Sequence, residues 1–220
     1  MERKFGFAVD GYYHIYNRGV DKREIFLDKY DRERFLRLLF ASNSSRAFVY
    51  RDIKNVSFDK INRGEQKTAV GAYCLMPNHF HLLLRETTGG GISAFMGKLL
   101  TSYSMYFNKK YKRTGSLFES TFRAKEVTND NYLKYLFAYI HLNPVKLIDS
   151  EWKEKGISDK KATEDFLKKY RYSSYEEYLE GSEREEKLIL NREVFPEYFE
   201  TKNDFQDLIN DWLTYRDGEG

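Results

Sequence analysis

Two histidines one residue apart, His79 and His81, stand inside the run YCLMPNHFHLLLRE at residues 73–86, and they are half of the four histidines in the chain. On a strand, side chains alternate faces with a period of two, so both imidazoles point one way while Phe80 and Leu82 point the other. Such a pair can grip a divalent ion, or it can be two histidines packed in a core. The residues that follow discriminate among the metal chemistries. A binuclear zinc hydrolase needs an Asp and a further His shortly downstream, whereas here the chain continues Leu82, Leu83, Leu84, Arg85. A histidine-triad nucleotidyl transferase needs a third histidine at the next alternate position, which is Leu83. What remains is one divalent ion held by two imidazoles and a ligand from elsewhere, polarising a phosphate for an attacking hydroxyl.

A tyrosine suits that chemistry when the bond to be cut is a DNA phosphodiester. Attack by a phenolate keeps the ester-bond energy in a covalent intermediate, so the strand can be rejoined without ATP. With an ordinary tyrosine pKa of about 10, the metal and basic surroundings must stabilise the developing phenolate or the leaving 3′ oxygen. The chain has 18 tyrosines, and helical geometry narrows them. In NDNYLKYLFAYIHLNPV the core stripe is Leu133, Phe137 and Ile140. Tyr139 and Asn143, four apart, share an adjacent face one turn from each other. Asn143 can supply an amide oxygen as third ligand while Tyr139 presents its hydroxyl to the same ion. His141 lies nearly opposite Tyr139 around the helix, so the two cannot serve one site unless the helix has already broken. The alternatives are a packed aromatic for Tyr139 and a simple helix C-cap before Pro144 for Asn143.

These side chains need a frame. GYYHIYNRG reads as a first strand ending in a turn at residues 17–19, with His14 packing or hydrogen bonding on it. DKYDRERFLRLLFASNS reads as a helix with Phe35, Leu38 and Leu39 on one stripe and Asp28 as its cap. AFVYRDIK reads as a second strand. Strands from about Thr68 to Met76 and from His79 to Arg85 flank a turn at Pro77-Asn78. GGGISAFMGKLLTSYSMYFNKKYKRTG begins with flexible glycines and becomes a helix whose apolar side carries Phe95, Leu99, Met105 and Tyr106. SLFESTFRAKEV reads as a short strand or hairpin. The helix ending in YLFAYIHLNPV must stop near Asn143, because the residue before a proline is pushed out of the helical region. This order, without regular βα repetition, makes an α+β domain: an antiparallel sheet with helices packed mainly on one face. The division is one domain over residues 1–150 and an acidic helical extension over 151–220, with helices in DFLKKYRYSSYEEYLEG and DFQDLINDWLTYRD.

Composition bounds the rest. With 41% hydrophobic and 17% aromatic residues, 220 residues can bury a sizeable core. The single cysteine, Cys74, leaves no disulfide framework and no CxxC site, which fits a reducing cytoplasm. No apolar run approaches the roughly 20 residues that span a bilayer, and MERKFGFAVDGYYH lacks the apolar centre of a signal peptide, so no membrane partner is expected. The net charge of +3 hides a division: residues 1–150 carry 25 Lys+Arg against 15 Asp+Glu, or +10, and residues 151–220 carry 12 against 19, or −7. A basic excess in the half that holds the histidine pair points to a polyanion partner. Arg18, Arg123 and the run Lys109, Lys110, Lys112, Arg113 are the candidate phosphate contacts.

Taken together, LMPNHFHLLLRE, KRTGSLFES, YLFAYIHLNPVK and the opening YYHIYNRG resemble the REP-associated tyrosine transposases, a branch of the single-tyrosine HUH transposases of insertion sequences. The resemblance covers roughly Gly11 to Lys146, and YRYSSYEEYL resembles the segment that often follows in this branch. It implies a ferredoxin-like antiparallel sheet with the histidine pair on a central strand and the tyrosine on a helix across from it. By this resemblance the HUH pair falls on His79 and His81, the nucleophile on Tyr139, and the polar metal ligand on Asn143, where relatives outside the branch have Gln. It implies Mg²⁺- or Mn²⁺-dependent cleavage and joining of single-stranded DNA beside imperfect, REP-like hairpins, leaving a 5′-phosphotyrosine and a free 3′-OH. It makes residues 1–150 the catalytic domain of a cytoplasmic, nucleoid-associated monomer or homodimer. Two rivals stand beside it. One is a replication-initiator nickase of the same superfamily, against which the short chain and the missing helicase motif count; the other is a domesticated, non-cleaving hairpin-binding protein. The acidic tail either docks over the DNA path or caps and stabilises the sheet.

Overall fold

Four strands, β1 (Tyr12–Arg18), β2 (Thr68–Met76), β3 (His79–Glu86) and β4 (Arg123–Glu126), form one antiparallel sheet in the order β2-β3-β1-β4. The computed structural model describes residues 6–179, 182–199 and 201–214. Pro77 and Asn78 join β2 to β3 in a two-residue turn, as their turn chemistry requires. Helix α1 (Lys29–Ser42) connects β1 towards β2, α3 (Gly91–Lys110) connects β3 to β4, and α4 (Asp130–Leu142) follows β4. The expected order of strand, helix, strands, helix, strand and helix holds with two strands rather than three between α1 and α3, and the α+β class is borne out. Period-two alternation divides the sheet. Phe80 of β3 meets Phe35 of α1 at 5.1 Å between ring centroids, while His81, one residue on, meets Tyr139 of α4 at 5.5 Å on the opposite face.

Local signals explain the helix starts. At α1, Asp28 accepts from the Asp31 backbone N–H at 2.9 Å and the Asp31 carboxylate accepts in return from the Asp28 N–H, a reciprocal cap. At α3 the buried Glu86 carboxylate accepts from the backbone N–H groups of Gly91 and Ile92 at 2.9 and 2.7 Å, holding β3 and the helix start together. Gly91 is required there, since a Cβ would stand 1.9 Å from the Lys67 carbonyl oxygen.

Three expectations need correction. AFVYRDIK is not a strand: α2 (Tyr50–Ile53) is one helical turn, with the Arg34 guanidinium 3.2 Å above the Tyr50 ring. Its β-branched and aromatic composition favours a pleated surface, but the segment pairs with none of the four strands. On α3 the buried stripe is Phe95, Leu99, Tyr103 and Phe107, spaced by four, whereas Met105 is 70% exposed. In the tail, α5 (Trp152–Lys155) and α6 (Lys160–Lys169) are helical; the last two residues of the expected helix, 180 and 181, lie outside the described residues, and YRYSSYEEYL does not continue α6. That segment runs along β2 instead: Leu75 N–H donates to the Tyr172 carbonyl at 2.8 Å and Ser174 N–H to the Tyr73 carbonyl at 2.9 Å. Asn191 N–H reaches the Val70 carbonyl at 2.9 Å further along. An open edge of a sheet exposes unpaired backbone groups, and here the tail covers them. Helix α7 (Lys202–Thr214) lies on α4, bringing Phe205 to His141 at 5.2 Å and Trp212 to Tyr135 at 4.8 Å between ring centroids.

Candidate active site

Antiparallel register collects one set of side chains on the face opposite Phe80. Tyr16 lies across from His81 and Arg18 from His79 on the β1–β3 ladder; Tyr16 lies across from Arg123 and His14 from Lys125 on the β1–β4 ladder. Because alternate residues share a face, His14, Tyr16, Arg18, His79, His81, Arg123 and Lys125 all look towards α4. They wall a cavity of about 570 Å³ that Tyr139 and Asn143 close from the helix side and Lys146 from the turn beyond it. Asn129 starts α4 by accepting from the Tyr132 N–H at 2.8 Å, which sets the rotation of the helix and so the direction of Tyr139.

The two histidines are held by hydrogen bonds on one ring nitrogen each. Asn78 Nδ2 donates to the Lys22 carbonyl at 3.0 Å, which turns its amide oxygen to His79 Nδ1 at 2.6 Å. An amide oxygen only accepts, so His79 carries its proton on Nδ1 and its lone pair on Nε2. His81 Nδ1 and His14 Nε2 are 2.8 Å apart. A ligand at His81 Nε2 requires the shared proton on His81 Nδ1, with His14 accepting. Burial, reinforced by Arg18 and Lys146, lowers the His79 pKa to about 4. Burial, with His14, His79 and Arg18 adding to it, holds His81 well below its ordinary value. Both rings are thus neutral at pH 7, the state in which imidazole binds a metal.

Across from them the Tyr139 ring stands edge-on, 5.5 Å from His81 and 5.7 Å from His14 between centroids. Burial raises its pKa, and the Asn143 side chain acts in the opposite direction. Asn143 is 6% exposed and opens the 3₁₀ turn Asn143–Leu147; its Nδ2 donates to the Tyr139 carbonyl at 2.7 Å, leaving the amide oxygen for another partner. The Lys153 ammonium lies 4.7 Å over the Tyr139 ring. Among the described residues there is no group of three His, Cys, Asp or Glu that could hold a metal ion. The donors that fit a divalent ion are two neutral imidazoles with directed lone pairs and one amide oxygen, a set that suits an ion keeping waters of its own.

The structure brings His79, His81, Tyr139, Asn143, Arg18 and Arg123 together. It does not bring the run at the end of α3 to them. Lys109 and Lys112 are exposed, Arg113 donates to Asn108 Oδ1 at 2.8 Å, and Lys110 is taken by the Asp28 and Asp31 carboxylates at 2.8 and 2.7 Å. His141 is fully buried away from the cavity, with Nδ1 2.8 Å from the Phe137 carbonyl and Nε2 2.7 Å from Ser174 Oγ. Sequence reasoning missed Tyr16, Lys125 and Lys146 and did not foresee that His14 pairs with His81. Counting alternate residues outward from the histidine pair through the ladder would have found the strand residues; Lys146 had only its place three residues after Asn143 as a signal.

Comparison with known proteins adds the following. The sequence profile described as IS200-like transposase matches residues 9–143. Among solved structures, one described as a REP-associated tyrosine transposase bound to a REP hairpin is similar, with 13% identity, a TM-score of 0.48, and coverage of 80% of this chain and 84% of that one. No curated protein sequence matches this chain.

Proposed function

As the chain belongs to the IS200-like transposase family, matched over residues 9–143, we propose that it cleaves and rejoins single-stranded DNA beside REP-like hairpins, with Tyr139 as the nucleophile. The observation that carries this reading is the meeting of Tyr139 with His81 at 5.5 Å between rings, inside a cavity rimmed by Arg18, Arg123, Lys125 and Lys146. His79, His81 and Asn143 would hold a Mg²⁺ or Mn²⁺ ion, which when bound supplies Lewis-acid polarisation of the phosphate.

The chain's own residues supply the rest. Arg18, Arg123, Lys125 and Lys146 bind the DNA phosphates and raise the local anion concentration. Tyr139 Oη attacks phosphorus, a new O–P bond forms, and the bond to the 3′ oxygen breaks; the phenol proton is released and the 3′ oxygen takes one up. The products are a 5′-phosphotyrosine and a free 3′-OH, and the reverse attack by a 3′-OH restores the phosphodiester and the phenol. The burial that raises the Tyr139 pKa works against phenolate, and the Asn143 side chain works for it. With His14 accepting from Nδ1, His81 has Nε2 open for a ligand, and Asn78 leaves Nε2 of His79 open in the same way. Because Tyr139 and the histidine pair of one chain already face each other, the arrangement supports cleavage within a single subunit, whether or not the protein dimerises.

The test is denaturing electrophoresis after incubation with end-labelled single-stranded DNA carrying genomic hairpins, with Mn²⁺ or with a chelator. The expected result is a metal-dependent covalent band absent from Tyr139→Phe and His81→Ala. A band that survives Tyr139→Phe moves the nucleophile elsewhere. Tight hairpin binding with no band at all leaves a non-cleaving binding protein.

A further inference from the structure

Tyr139 lines a second cavity as well as the first. This one has a volume of about 310 Å³ and is walled by Leu142, Trp152, Lys153 and Trp212, with Tyr135, Tyr139 and Asn143 as the partition between the two. Its character differs from that of its neighbour. The first cavity sets histidines, arginines and lysines beside its tyrosines; this one is aromatic on most sides, with one ammonium, Lys153 Nζ, 4.7 Å over the Tyr139 ring and 5.6 Å over the Trp152 ring. Trp212 meets Tyr135 edge-on at 4.8 Å, and Tyr135 lies 5.7 Å from Tyr139, so the aromatic wall continues from α7 through α4 to the nucleophile.

The rings of Tyr135, Trp152 and Trp212 stand around one space beside the basic cavity. A ligand that fits both stacks on aromatic rings and carries a phosphate. A nucleotide does, since every base has a π-face. We infer that the second cavity receives one unstacked base of single-stranded DNA, from a nucleotide flanking the phosphate presented to Tyr139. The inference rests on the proposed single-stranded DNA chemistry, and the shared partition gives the reason: a strand with its phosphate at Tyr139 must lead the next nucleotide along that residue. Taking the base out of the stack exposes the phosphate to in-line attack and makes the identity of the base part of the cleavage site.

The test uses fluorescence anisotropy with two labelled strands of equal charge, an oligothymidylate of about twelve nucleotides and an abasic strand of the same length. Wild type is expected to bind the thymidylate more tightly. Trp212→Ala, which removes a stacking wall, should shrink that preference roughly 5-fold or more. Trp152→Leu, which keeps an apolar side chain and removes the stacking ring, should shrink it as well. Both variants should leave abasic-strand affinity unchanged, whereas Arg123→Ala should weaken both strands alike. An unchanged preference in both tryptophan variants overturns the base pocket and leaves the DNA reading standing, as does equal binding of the two strands by wild type. Failure of wild type to bind either strand overturns both.

Discussion

Lys110 separates a structural cation from a DNA-binding one, and Lys110→Met measures the difference. In the sequence it belongs to a basic run suited to phosphates; in the fold its ammonium sits 2.7 Å from Asp31 Oδ1 and 2.8 Å from Asp28 Oδ2. Asp31 is fully buried and also accepts from the hydroxyls of Tyr106 and Tyr111, each at 2.8 Å, and from the Leu27 N–H at 2.9 Å. Breaking a buried ion pair by removing one partner costs about 3–5 kcal/mol. Here four other donors remain on the carboxylate, the Asp28 N–H among them, and the lysine side chain is 29% exposed, so the expected loss is reduced to about 2 kcal/mol. For a chain of this size that lowers Tm by roughly 4–8 °C. Thermal unfolding followed by circular dichroism and single-stranded DNA binding should be measured on the same preparations. The expected result is a lower Tm with DNA affinity unchanged, and the converse for Arg123→Ala. An unaltered Tm with weakened DNA binding for Lys110→Met would refute the placement of this lysine.

Two further predictions concern the frame. Burial holds the His141 pKa at about 3, so the unfolded chain takes up a proton below about 6.5 that the folded chain refuses, and stability falls with pH from 6.5 towards 3. Glu177 has the opposite sign: burial raises its pKa to about 7, so its contribution is full below about 4.5 and is lost as pH rises through 7. Glu177→Gln should therefore lose about 2 kcal/mol more than wild type between pH 7 and pH 5, read from paired denaturant titrations; equal losses would remove Glu177 from the balance. Gly91→Ala places a methyl 1.9 Å from the Lys67 carbonyl oxygen, a backbone atom with little room to yield, and should cost about 2–3 kcal/mol. A calorimetric Tm equal to that of wild type would show that the loop before α3 can move aside.

The sequence alone determined the elements that carry strong local periodicity and the chemistry that hangs on them. His79 and His81 share a face because a strand alternates, and Tyr139 and Asn143 share one because a helix repeats every four residues; both statements hold whatever the rest of the chain does. The family match over residues 9–143 bears out the resemblance those motifs carried. What only the tertiary structure decided depends on neighbours distant in sequence. Lys110, in a run suited to phosphates, is held by Asp31, 79 residues away. AFVYRDIK became a helical turn that pairs with no strand, and YRYSSYEEYL a companion to the edge strand β2, to which its backbone donates and accepts. His14 reads from sequence as a strand residue that packs or hydrogen-bonds, and 67 residues separate it from His81, the ring it bonds. The aromatic cavity beside Tyr139 needs Trp152 and Trp212 from the tail as well as α4. Periodicity acts between neighbours along the chain and can be counted; pairing of edges, charges and ring nitrogens acts across the closed fold, where burial decides which partner wins.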